Sequence, residues 1–473
     1  MKSLEVIDEV LKNFERYHGG VMRNKVEEEA CMLTTSLAKA LSSSETETQD
    51  RRLGAATESA LGLISLIDLA KNTSALDQAQ TEQLINHLQQ LQQDIANFKK
   101  HQKKVLILYS QIGQGHISAA KAVYEAIRHL YGYDIDVETI DFMDFMSSGL
   151  TRVTQKTYDG STKFAPVLVK LFFESTDKRW PIKLLNQLNY PFALNKLKKF
   201  FDEKKPDVIV STFPLWDCMT AEIWKKNYKN AKFISIITDS ITIHNGWVIA
   251  DSDYHIVANE DTARSLRELD VNEKKIKILG FPVRIDFLQS FDRKQFLSNH
   301  GLNPDLFTVL FLPAAQNPRR NIKIIKELTR QVQDFNLIVI TGRDPKIRPK
   351  MEKLTAGKNI KIIGWTDSMP LFIKAADVVV TKAGGATVME CIAAERPMVI
   401  TSMIPGQEQG NAELIRRYDL GIIAPSANMG ISESIDYVRK NYGTFIKNLK
   451  KVSNPQAALK IAEFIHELLG NIN

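Results

Sequence analysis

The chain has 473 residues, of which 44% are apolar and 25% charged, and a net charge of +7. That length exceeds one ordinary domain and suffices for two or three with separate cores, while the composition excludes a disordered or fibrous chain. Cys31, Cys218 and Cys391 are its only cysteines, with no C-x-x-C pair, so neither a zinc site nor a disulfide framework is signalled.

Residues 1–17 mix acidic and basic side chains into the apolar ones, which is not the core of a signal peptide, and no apolar run reaches the length of a membrane span. A cytoplasmic protein, soluble or peripheral to the cell membrane, is expected. Residues 1–100 read as an all-helical extension with a polar break at 42–52. Within it Leu84, Leu88, Leu91, Ile95 and Phe98 recur at spacings of four and three, the seam of an amphipathic helix. Such a seam serves either a hairpin packed on its own chain or self-association.

After His101 short β-branched runs alternate with helical stretches, the signature of a parallel α/β sheet. Strands are predicted at 105–109, 137–140, 208–211, 233–238 and 254–257. A turn-rich joint at Gly280-Phe281-Pro282 separates these from a second series at 308–312, 337–341, 360–363, 378–380 and 398–401. The expected architecture is therefore two tandem Rossmann-like domains, 101–283 and 284–473. Ligands bind outside the carboxyl ends of such strands, so the two domains would face a common cleft.

The first strand runs into Gly113-Gln114-Gly115-His116, a glycine turn that opens a helix whose free N–H groups can meet an anion or an acceptor. A dinucleotide-binding turn would carry a third glycine where Ser118 stands. His116 would project into the cleft, where a near-neutral pKa suits removal of a proton from a hydroxyl; capping the helix is the plainer role for the same side chain.

Between Thr151 and Lys205 twelve lysines and arginines stand against five acids, an excess equal to that of the whole chain. Within it, residues 167–185 interleave bulky apolar side chains with lysines, a pattern suited to an anionic membrane surface and equally to a helix core with solvated lysines. No nucleic-acid module is present, and the charge accompanies aliphatic more than stacking residues.

The segment from Thr238 to Trp247 follows a buried strand, so Asp239 and His244 belong to a loop at the same edge as His116. Asp239 joins His116 as a candidate catalytic group, and Gly115, His244 and Trp247 are assigned to the acceptor side. Asp251-Ser252-Asp253 has the D-x-D pattern of a metal site but leads into a strand rather than ending one, and is read as a surface turn; no metal is expected.

In the second series Lys382-Ala383-Gly384-Gly385-Ala386-Thr387 again gives strand, glycine turn and helix, a cradle for a pyrophosphate. Glu390, one turn on, is placed to accept from two ribose hydroxyls. The next strand leads to Pro405-Gly406-Gln407-Glu408-Gln409-Gly410-Asn411, whose amides and acid suit sugar hydroxyls.

Taken together, G-x-G-H-x-x-A-A, T-D followed by H-x-x-W, G-G-x-T-x-x-E and P-G-Q-E-x-G-N resemble the monogalactosyldiacylglycerol synthase and processive diacylglycerol glucosyltransferase family, related to MurG. The resemblance runs from about His101 to Ser426. It implies a glycosyltransferase B fold and an inverting, metal-independent transfer of a hexose from UDP-glucose or UDP-galactose to diacylglycerol, with no cofactor besides that co-substrate. By the same resemblance His116 is the base, Gly384, Gly385 and Thr387 the phosphate loop, Glu390 the ribose ligand, and Gln407, Glu408 and Asn411 the sugar-reading set. Trp365 stands where the family places uracil. Where relatives carry a glycine-rich turn after the first strand of the second domain, this chain has Leu312 to Arg320, so Arg319 or Arg320 is expected to reach the phosphates by side chain. A UDP-sugar epimerase on the same fold and a non-catalytic nucleotide-sugar sensor are the alternatives.

Overall fold

The computed structural model describes most of residues 102–471 and, before them, parts of 26–36, 56–67 and 82–93. The predicted membrane stretch 167–185 lies outside the described residues, as do Leu84, Leu91, Ile95, Phe98 and Gln407.

The chain divides into two compact units. The first lies within residues 1–104 together with Tyr131–Glu138. Its helical stretches bury Val26, Ala30 and Leu33, then Ala56, Ala60, Leu63 and Ile67, spacings of three and four that turn one side of each helix inward. Gly62 permits a close approach, because a Cβ there would stand 2.9 Å from the Glu29 carboxyl carbon.

The second unit contains the sequence features that carry chemistry. Strands β1 (Lys103–Tyr109), β2 (Ile135–Asp141), β3 (Val208–Ser211), β4 (Lys232–Ile236), β5 (Tyr254–Val257) and β6 (Ile276–Ile278) form one sheet, in the order β2-β1-β3-β4-β5-β6. Strands β7 (Phe307–Phe311), β8 (Phe335–Ile340), β9 (Ile360–Ile363), β10 (Val378–Lys382), β11 (Met398–Ser402) and β12 (Gly421–Ile423) form the other, in the order β12-β11-β10-β7-β8-β9. The ladders β1 to β3, β3 to β4 and β7 to β8 to β9 are parallel, as expected for strands joined by helical crossovers. In each sheet the strand order reverses direction once, between β1 and β3 and between β7 and β10, and such switch points open the crevices in which ligands bind.

The helices that matter below are α1 (Gln114–Tyr131), α2 (Glu260–Glu268), α3 (Pro318–Leu328), α4 (Gly385–Ala393), α5 (Gln409–Arg417), α6 (Ile431–Lys440) and α7 (Ala457–Gly470). One apolar core joins the two sheets' layers. Ala119 of α1 is buried in the same cluster as Phe281 and Val283 of the joint and Val388 and Met389 of α4. Asp261 of α2 adds a polar tie, accepting from Arg417 at 2.8 Å and from the Tyr418 hydroxyl at 2.5 Å.

The chain passes from one sheet to the other at Gly280, and it returns at its end. Gly280 has φ of +103°, and a Cβ there would lie 2.5 Å from Asn454 Nδ2 and 2.6 Å from the Ala457 side chain. Only glycine meets both conditions. Asn454 donates to the Leu279 carbonyl at 2.9 Å, and Phe464 of α7 packs edge-on against Tyr254 of β5 with ring centroids 5.1 Å apart. The last helix, grouped by sequence with the second domain, thus packs on the first sheet.

At the edge of the second sheet Gly421 pairs with Met398, and a Cβ on Gly421 would sit 2.1 Å from the Met398 carbonyl oxygen. Backbone cannot yield as a side chain can. Gly421→Ala is therefore expected to lower the unfolding free energy by about 1–3 kcal/mol, measured by urea titration.

Candidate active site

The four buried residues Val105 to Leu108 carry the chain through the first sheet to the switch point, where α1 starts on Gln114 and sets His116 in its first turn. Across the switch point β3 ends on Ser211, and the next residue, Thr212, holds His116 from two sides. The His116 Nδ1 lies 2.6 Å from the Thr212 carbonyl oxygen, and the Thr212 hydroxyl donates to the His116 carbonyl at 3.0 Å. A carbonyl oxygen can only accept, so Nδ1 carries the proton of the neutral ring and Nε2 carries the lone pair. The Thr238 hydroxyl lies 2.9 Å from the same Nδ1. Phe213 meets the imidazole edge-on with centroids 4.9 Å apart, and Trp247 stands 6.3 Å away.

This enclosure tunes the ring. Burial lowers the His116 pKa from its ordinary value, while the charge of Asp239 and the bond to Thr212 oppose the shift. The imidazole is therefore neutral at physiological pH, with its free nitrogen ready to take a proton.

Asp239 is fixed by its own loop. One carboxylate oxygen accepts from Trp247 Nε1 at 2.8 Å and from the His244 backbone N–H at 3.3 Å. His244 and Trp247, assigned by sequence to the acceptor side, are buried, at 4% and 0% exposure. His244 Nδ1 accepts the Gly246 N–H at 3.0 Å, which closes the turn, and the Trp247 indole anchors Asp239. Both thereby help to fix the Asp239 loop.

Opposite them α4 begins. Its first internal bond runs from the Val388 N–H to the Gly384 carbonyl at 2.9 Å, so the preceding N–H groups of Gly385, Ala386 and Thr387 point out of the helix end with its positive dipole. The two glycine turns stand face to face: a Cβ on Gly115 would lie 3.9 Å from the Ala386 nitrogen, and one on Gly385 would lie 3.8 Å from the Thr238 carbonyl oxygen. Proton acceptor and anion cradle therefore share one small volume.

Glu390 sits one turn into α4, where the Ser118 hydroxyl of α1 donates to it at 3.4 Å. Desolvation pushes its pKa up to about 7, against the opposing pull of Ser118 and Arg284. Trp365 is 51% exposed on the turn after β9.

Glu408 is assigned by sequence to sugar reading, and its oxygens already have partners within the fold. This side chain is 5% exposed, and its oxygens are taken, one by Lys382 Nζ at 2.5 Å and the other by the Ile404 N–H at 2.8 Å. It braces the loop. Asn411 is different: Nδ2 donates to the Ala383 carbonyl at 3.0 Å, while Oδ1 is buried without a partner beside Gly385. A hydroxyl donor arriving there would satisfy it.

Arg319 and Arg320 lie in the first turn of α3 and line a separate pocket of about 430 Å³ with Lys323, Glu327, Met429, Gly430 and the first residue of α6, Ile431. None of its lining residues belongs to the α4 turn, so the expectation that these arginines serve the donor phosphates is not supported by their placement. Asp251 pairs with Lys275, and Asp253 accepts the Phe233 N–H at 2.9 Å, so both acids of the D-x-D segment are spent on structure.

Sequence reasoning missed Thr212, Thr238, Ser118 and Lys382. The signal for two of them is position alone, since Thr212 follows β3 and Lys382 ends β10, at the carboxyl ends that flank the two switch points.

The chain matches the monogalactosyldiacylglycerol synthase family model over residues 116–283 and the glycosyltransferase family 28 C-terminal domain over residues 319–458. It is 24% identical over 371 residues to the processive diacylglycerol beta-glucosyltransferase of Bacillus subtilis, covering 78% of this chain and 95% of that protein. It is 27% identical over 383 residues to a probable chloroplastic monogalactosyldiacylglycerol synthase 3 of Oryza sativa, covering 77% and 74%. Among solved structures, Arabidopsis thaliana UGT89C1 complexed with UDP-L-rhamnose aligns with a TM-score of 0.51 at 13% identity, over 78% of this chain and 99% of that one, which supports the shared fold alone. The match to the synthase family holds His116 and Asp239 and the match to the family 28 C-terminal domain holds the α4 cradle, so the chain carries one domain similar to each.

Proposed function

We propose that this protein transfers a hexose from UDP-glucose or UDP-galactose to the free hydroxyl of diacylglycerol, making a β-glycosyldiacylglycerol. The observation that carries the reading is the placement of the His116 turn against the amino end of α4, which brings a proton acceptor and an anion cradle to one cleft. The relatives named above act on the same class of lipid.

In this mechanism His116 Nε2 takes the proton of the acceptor hydroxyl as its oxygen attacks the anomeric carbon from the face opposite UDP. The configuration inverts. Asp239 stabilises the imidazolium that forms, and Thr212 and Thr238 hold the ring in the productive tautomer. The N–H groups of α4 meet the charge that grows on the leaving diphosphate, so the step needs no metal ion or further cofactor. Glu390 holds the ribose, Trp365 flanks the uracil, Asn411 Oδ1 accepts from a sugar hydroxyl, and Gln407 reads the sugar beside it.

No helix among the described residues is long and apolar enough to cross a membrane. Contact with the lipid would come through the basic stretch 151–205, holding the enzyme to the anionic face of the cell membrane, with self-association through the N-terminal helices as a further part of the reading.

The test is to incubate the protein with each UDP-hexose and vesicles of diacylglycerol with an anionic phospholipid, and to read the anomeric configuration of the lipid product by NMR. A β-linked hexosyl lipid is expected. Free epimerised UDP-sugar, or an α-linked product, would contradict the proposal.

A further inference from the structure

Lys382 is the last residue of β10, immediately before the Ala383-Gly384-Gly385 turn, and its ammonium group reaches the amino end of α4. A Cβ built on Gly384 would meet Lys382 Cε at 3.3 Å and Nζ at 3.7 Å. One ammonium hydrogen is committed to Glu408 Oε1 at 2.5 Å, and the lysine side chain is 31% exposed against 6% for its partner. The pair is thus asymmetric. The carboxylate is enclosed, with its second oxygen held by the Ile404 N–H, while the partly exposed ammonium lies beside Gly384 with hydrogens beyond the one given to Glu408.

Two other features of the turn point to a ligand. The N–H groups of Gly385, Ala386 and Thr387 precede the first internal bond of α4, and Asn411, only 6% exposed, holds Oδ1 buried beside Gly385 with no donor. An anionic group bearing hydroxyl-rich chemistry on one side would satisfy both, and its charge would fall within reach of Lys382.

We propose that Lys382 is a catalytic residue that contacts the terminal phosphate of the bound UDP-sugar and carries the charge released when UDP departs. The inference rests on the transferase reading and deepens it. As the acceptor oxygen bonds to the anomeric carbon, the bond from that carbon to the β-phosphate oxygen breaks and its electron pair goes to the oxygen. The acceptor proton goes to His116 Nε2. UDP leaves with one more negative charge than it had as an ester, and Lys382 together with the α4 N–H groups meets that charge. Glu408 is then a positioning residue, holding the ammonium over the helix end and keeping its own charge paired.

A purely structural account also exists, in which Lys382 does no more than neutralise buried Glu408. Removing the lysine alone leaves that carboxylate unpaired and destabilises the loop in either case. The decisive variant is therefore the double Lys382→Met, Glu408→Gln, which removes both charges, compared with Glu408→Gln alone and wild type by transferase kinetics with diacylglycerol vesicles. The expected result is a double variant that melts with Glu408→Gln yet has a kcat about 100- to 1,000-fold below it, the cost of losing one donor to a developing oxyanion. Inhibition by UDP and by UMP gives a second reading: the preference of wild type for UDP over UMP should shrink about tenfold or more, the loss expected for one charge-assisted hydrogen bond. A double variant that equals Glu408→Gln in kcat and keeps the full preference for UDP would overturn the role of the lysine and leave the transferase reading standing. If wild type itself transfers no hexose to diacylglycerol, the transferase reading fails and the lysine's role falls with it.

Discussion

Replacing His116 with alanine is expected to lower kcat about 100- to 10,000-fold while changing the KM for the UDP-hexose by less than about threefold. The split follows from where the ring sits. His116 belongs to the first turn of α1 and is bonded to Thr212 and Thr238, whereas the nucleotide cradle is built on α4. Removing the imidazole takes away the proton acceptor and leaves the donor groups in place. The pH profile of kcat carries the same information with its sign fixed. Burial lowers the His116 pKa from 6.5, so the neutral, accepting form persists below that pH, and kcat should hold steady as pH falls to 6.5 and decline only in more acid buffer. His116→Gln, which keeps the bulk and loses the basic nitrogen, should match the alanine variant. Activity retained in both would remove His116 from the chemistry.

The second large effect concerns Glu390. Its carboxyl group is enclosed, bonded only weakly to Ser118, and pushed up to about 7 by desolvation. A carboxylate accepts two ribose hydroxyls, whereas the protonated acid loses one of those acceptors. The pKa is raised, so the group is protonated below pH 7 and ionised above it, and the KM for the UDP-hexose should rise as pH falls through 7 in wild type. Glu390→Gln should raise that KM about 10- to 100-fold at pH 8, the worth of a hydrogen bond to a charged acceptor, and should abolish its dependence on pH between 6 and 8. Because kcat reports His116 and KM reports Glu390, the two pH dependences should separate in one data set. A pH-independent KM in wild type would contradict the ribose assignment.

What was legible in the sequence follows from what each signal depends on. Strands β3 and β5 were predicted with the bounds they have, because a buried strand of a parallel sheet is a short β-branched run with both faces covered, and the half-buried edge strand β9 was predicted with its own bounds because its residues form such a run as well. Strands β6 and β12 escaped because each has three residues and ends a sheet, too short for alternation to register. The glycine turns at Gly115 and at Gly384 and Gly385 were legible from the order strand, glycine, helix, although a Cβ at Gly115 would meet nothing nearer than 3.9 Å and one at Gly385 nothing nearer than 3.5 Å. The partners of the chemical groups were not legible. Thr212 lies 96 residues from His116 and Glu408 lies 26 residues from Lys382, and no local pattern encodes such a pairing. For the same reason His244 and Glu408 read as ligand-facing residues from their loops, whereas the fold spends His244 Nδ1 on the Gly246 N–H and both Glu408 oxygens on Lys382 and Ile404.

The first-domain residue Asp217 shows how far burial alone can shift a group that the mechanism does not use. It is wholly enclosed, accepts from the Ser211 and Ser235 hydroxyls, and is pushed up to about 7 by desolvation in spite of them. Comparable shifts thus arise at Glu390 and at Asp217, and the shift by itself does not distinguish a ligand-binding carboxylate from a core one; the proposed role of Glu390 rests on its place on α4.

The most direct test of the central claim is to count products in a single assay: UDP released and hexosyl lipid formed from a UDP-hexose, with and without diacylglycerol vesicles, by wild type and His116→Ala. One UDP per transferred hexose, strict dependence on the lipid, and near-complete loss of both in the variant are predicted. UDP released without lipid, or lipid-dependent transfer undiminished in the variant, would contradict it.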